Sequence, residues 1–206
     1  MLSLNTCSGA LVVLLTLVNP AVSHITANPS AAYLNTYFQT AFRVPHGCSG
    51  SPTVKLTIDI PDGVINVAPH QIYNWTISIA YRPLFPPVIS EGAVVNQTVS
   101  SVTYSGYLDP TCYEDFGISM KLPAQVPNSI LYFPAHQICV NGSTDWTNTP
   151  QSGQNAMSLP APAPSVQTVP QPSSNSASGV AAAASFTNAS SHSLALAFIL
   201  IFAFAH

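Results

Sequence analysis

Val54-Lys55-Leu56-Thr57-Ile58-Asp59-Ile60 sets an apolar side chain at every second position, with lysine, threonine and aspartate between them. A period of two sends the apolar set to one face of a strand and the polar set to the other. Pro61-Asp62-Gly63 follows at once and reads as a turn. The same alternation returns in Trp75-Thr76-Ile77-Ser78-Ile79 and in Phe116-Gly117-Ile118-Ser119-Met120-Lys121. Further β-rich runs lie at 36–44, 98–104 and 129–133, and Val140-Asn141-Gly142 is a second turn signal. No segment sustains a period of 3.6. Seven or so short strands, each with one apolar face, predict an all-β fold: an antiparallel β-sandwich, immunoglobulin-like or cupredoxin-like, with both topologies open.

Outward from these strands the chain changes character at both ends. Residues 1–23 carry the apolar block 11–18, then Asn19-Pro20 and the small residues Ala21 and Ser23. This is the outline of a secretory signal peptide, too short for a bilayer core that needs about 20 residues. Cleavage after Ser23 leaves His24 as the first residue of the mature chain. At the other end, residues 194–205 form an apolar tail preceded by a polar spacer at 185–193 and by small residues around Asn175, Ser176, Ser178 and Gly179. That order is the glycosylphosphatidylinositol attachment pattern, with the lipid expected on Ser178 or a close neighbour and 179–206 removed. The expected location is the extracellular face of the plasma membrane, or the cell wall, with the anchor in the outer leaflet.

Every charged side chain, four basic and seven acidic, falls between Arg43 and Asp145. No basic cluster exists, so nucleic acid is not an expected partner. Residues 148–178 are rich in proline, serine, alanine and glutamine without charge, a composition that cannot offset its ordering entropy, and are expected to be a disordered stalk. The folded domain is then expected over 24–147. Sequons at Asn74, Asn96 and Asn141 suit a eukaryotic secretory route and predict N-glycosylation. Cys7 leaves with the signal, so Cys48, Cys112 and Cys139 enter an oxidising compartment. One disulfide and one buried thiol is the simplest outcome, with the pairing open at this point.

The residue that carries most chemistry is His24. Once N-terminal, it offers an α-amine of pKa near 7.7–8.0 beside an imidazole near 6.5, and two nitrogens from one residue can chelate a metal. Paired nitrogen donors with oxygen ligands suit tetragonal copper(II). Glu114-Asp115 opens the Phe116 strand, and adjacent strand residues face opposite ways, so at most one of the two carboxylates points at a given site. His46, His70 and His136 could add nitrogen ligands, though none has a metal-motif spacing. Trp146 is by default a core or edge aromatic. No Ser-His-Asp set, phosphate loop or paired-cysteine zinc motif appears, and no catalytic residue is assigned.

Read together, His24-Ile25-Thr26-Ala27-Asn28-Pro29 and Phe42-Arg43-Val44-Pro45-His46-Gly47-Cys48-Ser49-Gly50-Ser51-Pro52-Thr53 resemble the start of the bacterial YcnI-like domain family. The likeness continues through Ile60-Pro61-Asp62-Gly63-Val64, Asn74-Trp75, Tyr113-Glu114-Asp115-Phe116-Gly117, Leu131-Tyr132-Phe133-Pro134 and Gln137-Ile138-Cys139, and ends at Trp146. The resemblance implies an extracytoplasmic copper(II)-binding β-sandwich. In that family the N-terminal histidine grips the metal through amine and imidazole, with a carboxylate ligand and a tryptophan close by. Carried over, the brace histidine is His24 and the tryptophan is Trp146. Asp115 stands at the acidic position before the phenylalanine, where the family usually has glutamate, and Glu114 lies one place earlier. The family often ends Trp-x-Glu, and Trp146-Thr147-Asn148 lacks the acid. The resemblance also implies a Cys48–Cys139 disulfide and leaves Cys112 as the unpaired thiol.

These observations together predict a cell-surface copper(II)-binding protein that captures or delivers extracellular copper, with a copper transporter or a cell-wall component as its partner. A structural or adhesive surface domain without metal, and a copper-dependent oxidase or oxygenase, are the competing expectations.

Overall fold

The computed structural model describes residues 23–124 and 128–172. The expected signal peptide, the expected lipid-attachment residue Ser178 and the C-terminal tail lie outside the described residues.

Twelve strands are present: β1 (Thr26–Asn28), β2 (Ala31–Tyr33), β3 (Tyr37–Val44), β4 (Thr53–Asp59), β5 (Ile65–Pro69), β6 (Thr76–Ser90), β7 (Ala93–Leu108), β8 (Glu114–Lys121), β9 (Ile130–Tyr132), β10 (Ala135–Cys139), β11 (Ser143–Trp146) and β12 (Ser165–Val169). One 3-10 turn, Ala156–Ser158, interrupts the pattern. Sheet I runs β1-β3-β8-β5 and sheet II runs β11-β10-β4-β7-β6, every pair antiparallel. A small third sheet runs β2-β12-β9, in which β12 lies parallel to β2.

Sheets I and II share one core, as an antiparallel β-sandwich requires. Phe116, Ile118 and Met120 of β8 are fully buried, matched by Leu56 and Ile58 of β4 and by Val102 and Tyr104 of β7. The Phe116 ring lies 4.9 Å from both Trp75 and Tyr104. Tyr104 Oη crosses between the sheets and donates to the carbonyl of Gly117 at 2.9 Å, and burial pushes its phenol pKa up. Trp75 packs flat against Gly106, where an added Cβ would meet the indole at 2.5 Å.

Two strand expectations shift in detail. The register of β4 slips between Thr53 and Lys55, a bulge that turns Thr53 inward and leaves Val54 only half-buried. Ile79 is 36 % exposed because β6 is the edge of sheet II and its apolar face outruns the opposing sheet.

The expectation of a disordered stalk from 148 is corrected. Val166 and Thr168 of β12 are fully buried, Val166 belongs to the main core, and β12 is paired on both sides. The prolines flank this strand rather than interrupt it, and Phe133 N donates to the carbonyl of Pro164 at 2.8 Å. The folded unit therefore extends well past Trp146.

Candidate metal centre

β1 begins at Thr26, but the chain is fixed earlier, because Ile25 and Ala27 are buried against sheet I while Thr26 faces outward opposite Arg43. Apolar anchors on both sides of one exposed residue hold the start of the domain by burial alone. Ser23 is exposed and His24 half-buried, so the Ser23–His24 bond lies at the domain surface.

The His24 imidazole lies against Trp146, with ring centroids 5.7 Å apart and planes tilted by 54°. Trp146 comes from β11 at the edge of sheet II and is itself 4 % exposed. A buried indole N–H needs an acceptor. Nε1 donates to Gln137 Oε1 at 3.0 Å, while Gln137 Nε2 donates to the carbonyl of His46 at 2.9 Å and to Thr53 Oγ1 at 2.8 Å. Gln137 thus ties the indole to the segment after β3 and to the start of β4.

The Cys48–Cys139 disulfide is present and staples the same region: Cys48 lies two residues past His46, and Cys139 two past Gln137. Gly47 fits only because it lacks a side chain, since a Cβ would run into the carbonyl oxygen of Ser51. His46 Nδ1 sits 2.6 Å from the carbonyl of Gly47. A carbonyl can only accept, so Nδ1 carries the proton and Nε2 keeps the lone pair in the neutral ring.

A groove opens beside His24, walled by Thr26 and Ser30 from the N-terminal segment and by Met157, Pro162 and Ser165 from the C-terminal one. The latter wall was the supposed stalk.

The two adjacent carboxylates separate as alternation requires. Asp115 pairs in register with Arg43, which pairs with Thr26, and all three side chains lie on the outward face of sheet I. Its Oδ1 accepts from Arg43 Nε at 2.8 Å and its Oδ2 from Arg43 Nη2 at 2.7 Å. The guanidinium holds the Asp115 carboxyl below its ordinary pKa, and the carboxylate raises that of Arg43. Arg43 also stacks 4.4 Å above the Tyr113 ring. Both Asp115 oxygens accept from Arg43, on the face opposite Ile25. Glu114 shares its row with Val44, which neighbours Ile25, and follows the inward alternation of Phe116. Its Oε1 accepts from Asp115 N at 3.0 Å. Two strand spacings separate its backbone from that of β1, roughly 10 Å.

The remaining candidates lie apart. His136 stands between Asp145, whose Oδ1 is 2.7 Å from Nδ1, and Asp59, whose Oδ2 is 3.4 Å from Nε2. Asp145 and then Asp59 raise its pKa against the opposing effect of burial. The backbone N of His70 donates to the carbonyl of Gly117 at 2.7 Å, and its side chain is exposed. Asn74, Asn96 and Asn141 are all exposed. Cys112 is free, as the resemblance implied, but exposed rather than a buried small hydrophobe. Among the described residues no group of three or more histidine, cysteine, aspartate or glutamate side chains is placed to hold a metal. The nitrogen donor that the structure places at this groove is the His24 imidazole. Gln137 and Met157 were not legible as parts of this site, since a glutamine inside a strand and a methionine in a proline-rich run carry no spacing signal.

Residues 24–167 match the family described as "Domain of unknown function (DUF1775)". The chain belongs to that family. It is the YcnI-like family that the motifs resemble, and its match begins at His24 and ends within β12. The crystal structure of an uncharacterized protein from Nocardia farcinica, described as revealing an immunoglobulin-like fold, is similar to this DUF1775 chain. The TM-score is 0.52 at 23 % identity, over 71 % of this chain and 98 % of that one. The sandwich is accordingly immunoglobulin-like. A putative membrane anchored protein from Corynebacterium diphtheriae aligns at TM-score 0.29 and 12 % identity, over 59 % of this chain and 31 % of that one. No curated protein matches the chain.

Proposed function

We propose that this DUF1775 protein is a cell-surface copper(II)-binding protein that captures or delivers extracellular copper, with His24 as the gripping residue. The observation that carries the reading is the His24 imidazole seated on the buried Trp146 ring, at the point where the domain begins and beside an exposed Ser23. Removal of the preceding segment creates an α-amine next to that imidazole. Two nitrogens of one residue can then chelate a single metal ion. Trp146 shields one side of the imidazole, and Gln137 keeps the indole in place. Of the two adjacent carboxylates Asp115 is paired with Arg43, so this reading favours Glu114 as the oxygen donor. Copper is cargo in this reading, and no turnover is assigned.

The proposal extends to location: secretion with loss of 1–23, a lipid anchor near Ser178, and glycans on Asn74, Asn96 and Asn141. Their exposure supports the last of these.

The test is copper(II) titration of protein beginning at His24 against protein carrying one extra N-terminal alanine. The extra residue is expected to abolish tight binding, and equal affinity rejects the brace. Trp146→Phe is expected to weaken binding about 10- to 100-fold, less than His24→Ala, because it acts beside the ligand.

One observation favours an adhesive role as a second reading. The β6–β7 hairpin exposes Phe85, Ile89 and Val94, with Ile89 and Val94 directly paired. Metal analysis of the native protein that finds no copper selects it.

A further inference from the structure

The groove beside His24 has a wall built from a chain excursion with closed ends. Asn148 N donates to the carbonyl of Ala161 at 3.0 Å, Ala163 N to the carbonyl of Asn148 at 2.9 Å, and Ala161 N to Asn148 Oδ1 at 3.2 Å. Residues 149–160 therefore leave and return at one point, the geometry of an Ω-loop, a class that is frequently functional. Asn148 follows Trp146 by two residues, so the loop is rooted beside the ring that holds His24.

Within the loop, Met157 is positioned by its own cap. Asn155 Oδ1 accepts from Met157 N at 2.9 Å, and Asn155 O accepts from Ser158 N at 3.0 Å and from Ser158 Oγ at 2.7 Å. Met157 lines the groove with His24 and remains 74 % exposed. Methionine is ordinarily among the buried residues, as Met120 is here. Exposure leaves the thioether sulfur open to a ligand. Thioether is a soft donor that selects copper(I), whereas amine and imidazole nitrogens suit copper(II).

We propose that Met157 is the copper(I) ligand of the His24 site, so that the groove retains the metal in its reduced form and not only as copper(II). The inference rests on the copper reading above, which names copper(II) alone, and adds a ligand for the reduced ion. His24 supplies the nitrogen donors common to both states, and the loop supplies sulfur for one of them.

The experiment uses mature protein with its native first residue, and every arm carries Cys112→Ser because that exposed thiol would itself take copper(I). Copper(I) affinity is measured by competition with a chromophoric copper(I) chelator, copper(II) affinity by direct titration, and sulfur ligation by X-ray absorption at the copper edge. Met157→Leu conserves volume at an exposed position, and circular dichroism checks its fold. The expected result is a loss of at least about 10-fold in copper(I) affinity with copper(II) affinity unchanged, and disappearance of the sulfur scatterer. Equal copper(I) affinity in the two proteins, with copper(II) still dependent on a free His24, overturns the role of Met157 and leaves the copper reading standing. Copper(II) binding indifferent to the extra N-terminal alanine overturns both.

Discussion

Gln137→Leu removes the residue on which the Trp146 indole depends, and its cost can be worked out. Gln137 is 2 % exposed and makes three hydrogen bonds, to Trp146 Nε1, the carbonyl of His46 and Thr53 Oγ1. Among the described residues no buried side-chain nitrogen or oxygen lacks a partner, so the substitution creates orphans where none existed. Thr53 Oγ1 keeps Cys139 Sγ at 3.7 Å as a weak partner, but the indole N–H and the His46 carbonyl keep none from this network. Two buried orphans cost about 2–6 kcal/mol. The added apolar burial of leucine returns about 1–2 kcal/mol, for a net loss of about 0–5 kcal/mol, centred near 2–3. Trp146→Phe alone strands Gln137 Oε1 and costs about 1–3 kcal/mol. In the double variant neither the indole N–H nor Gln137 Oε1 remains to be stranded, so the combined loss should fall short of the sum by about 2–6 kcal/mol. Urea unfolding followed by circular dichroism gives all four free energies. Additivity within about 0.5 kcal/mol would refute the claim that Gln137 holds the tryptophan.

Three further outcomes are expected. His136 has its pKa raised above 6.5 by Asp145 and Asp59, so its stabilising contribution is complete below about pH 6.5 and is lost as pH rises through the raised value. His136→Gln should flatten that decline in a plot of urea midpoint against pH. A chain ending at residue 148 exposes the partners of the fully buried Val166 and Thr168 and should lose at least about 3 kcal/mol, or fail to fold, relative to one ending at residue 171. In the native protein one thiol, Cys112, should react with a maleimide without denaturant, and Cys48 and Cys139 only after reduction.

The strands most legible in the sequence are those paired on both sides within the two main sheets. β4 and β8 each sit between two partners, so alternation and burial agree from Leu56 to Ile58 and from Phe116 to Met120. Agreement fails where geometry is decided by something outside the segment. The bulge that substitutes Thr53 for Val54 belongs to the β4–β7 pairing, and Ile79 is exposed because nothing continues sheet II beyond β6. β12 is the extreme case. Ser165-Val166-Gln167-Thr168-Val169 alternates as β4 does, but proline, serine and alanine on either side lower the local apolar content, and composition judged the whole stretch at once. What orders it is pairing with β2, more than a hundred residues earlier, and with β9.

The site follows the same division between local and distant causes. His24 was legible because its chemistry depends on being first, a property of the chain itself. Its contact with Trp146 followed from resemblance alone. The choice between Glu114 and Asp115 was half legible: alternation requires the two to diverge, but only Arg43, 72 residues away, decides which is consumed. Expecting a stalk over 148–178 hid one wall of the groove, because Met157, Pro162 and Ser165 line it together with His24. In the copper reading, a site that joins His24 to the loop between β11 and β12 is coupled to closure of the sandwich. Loosening β12 should weaken copper binding at His24 even though no residue of that strand is asked to touch the metal.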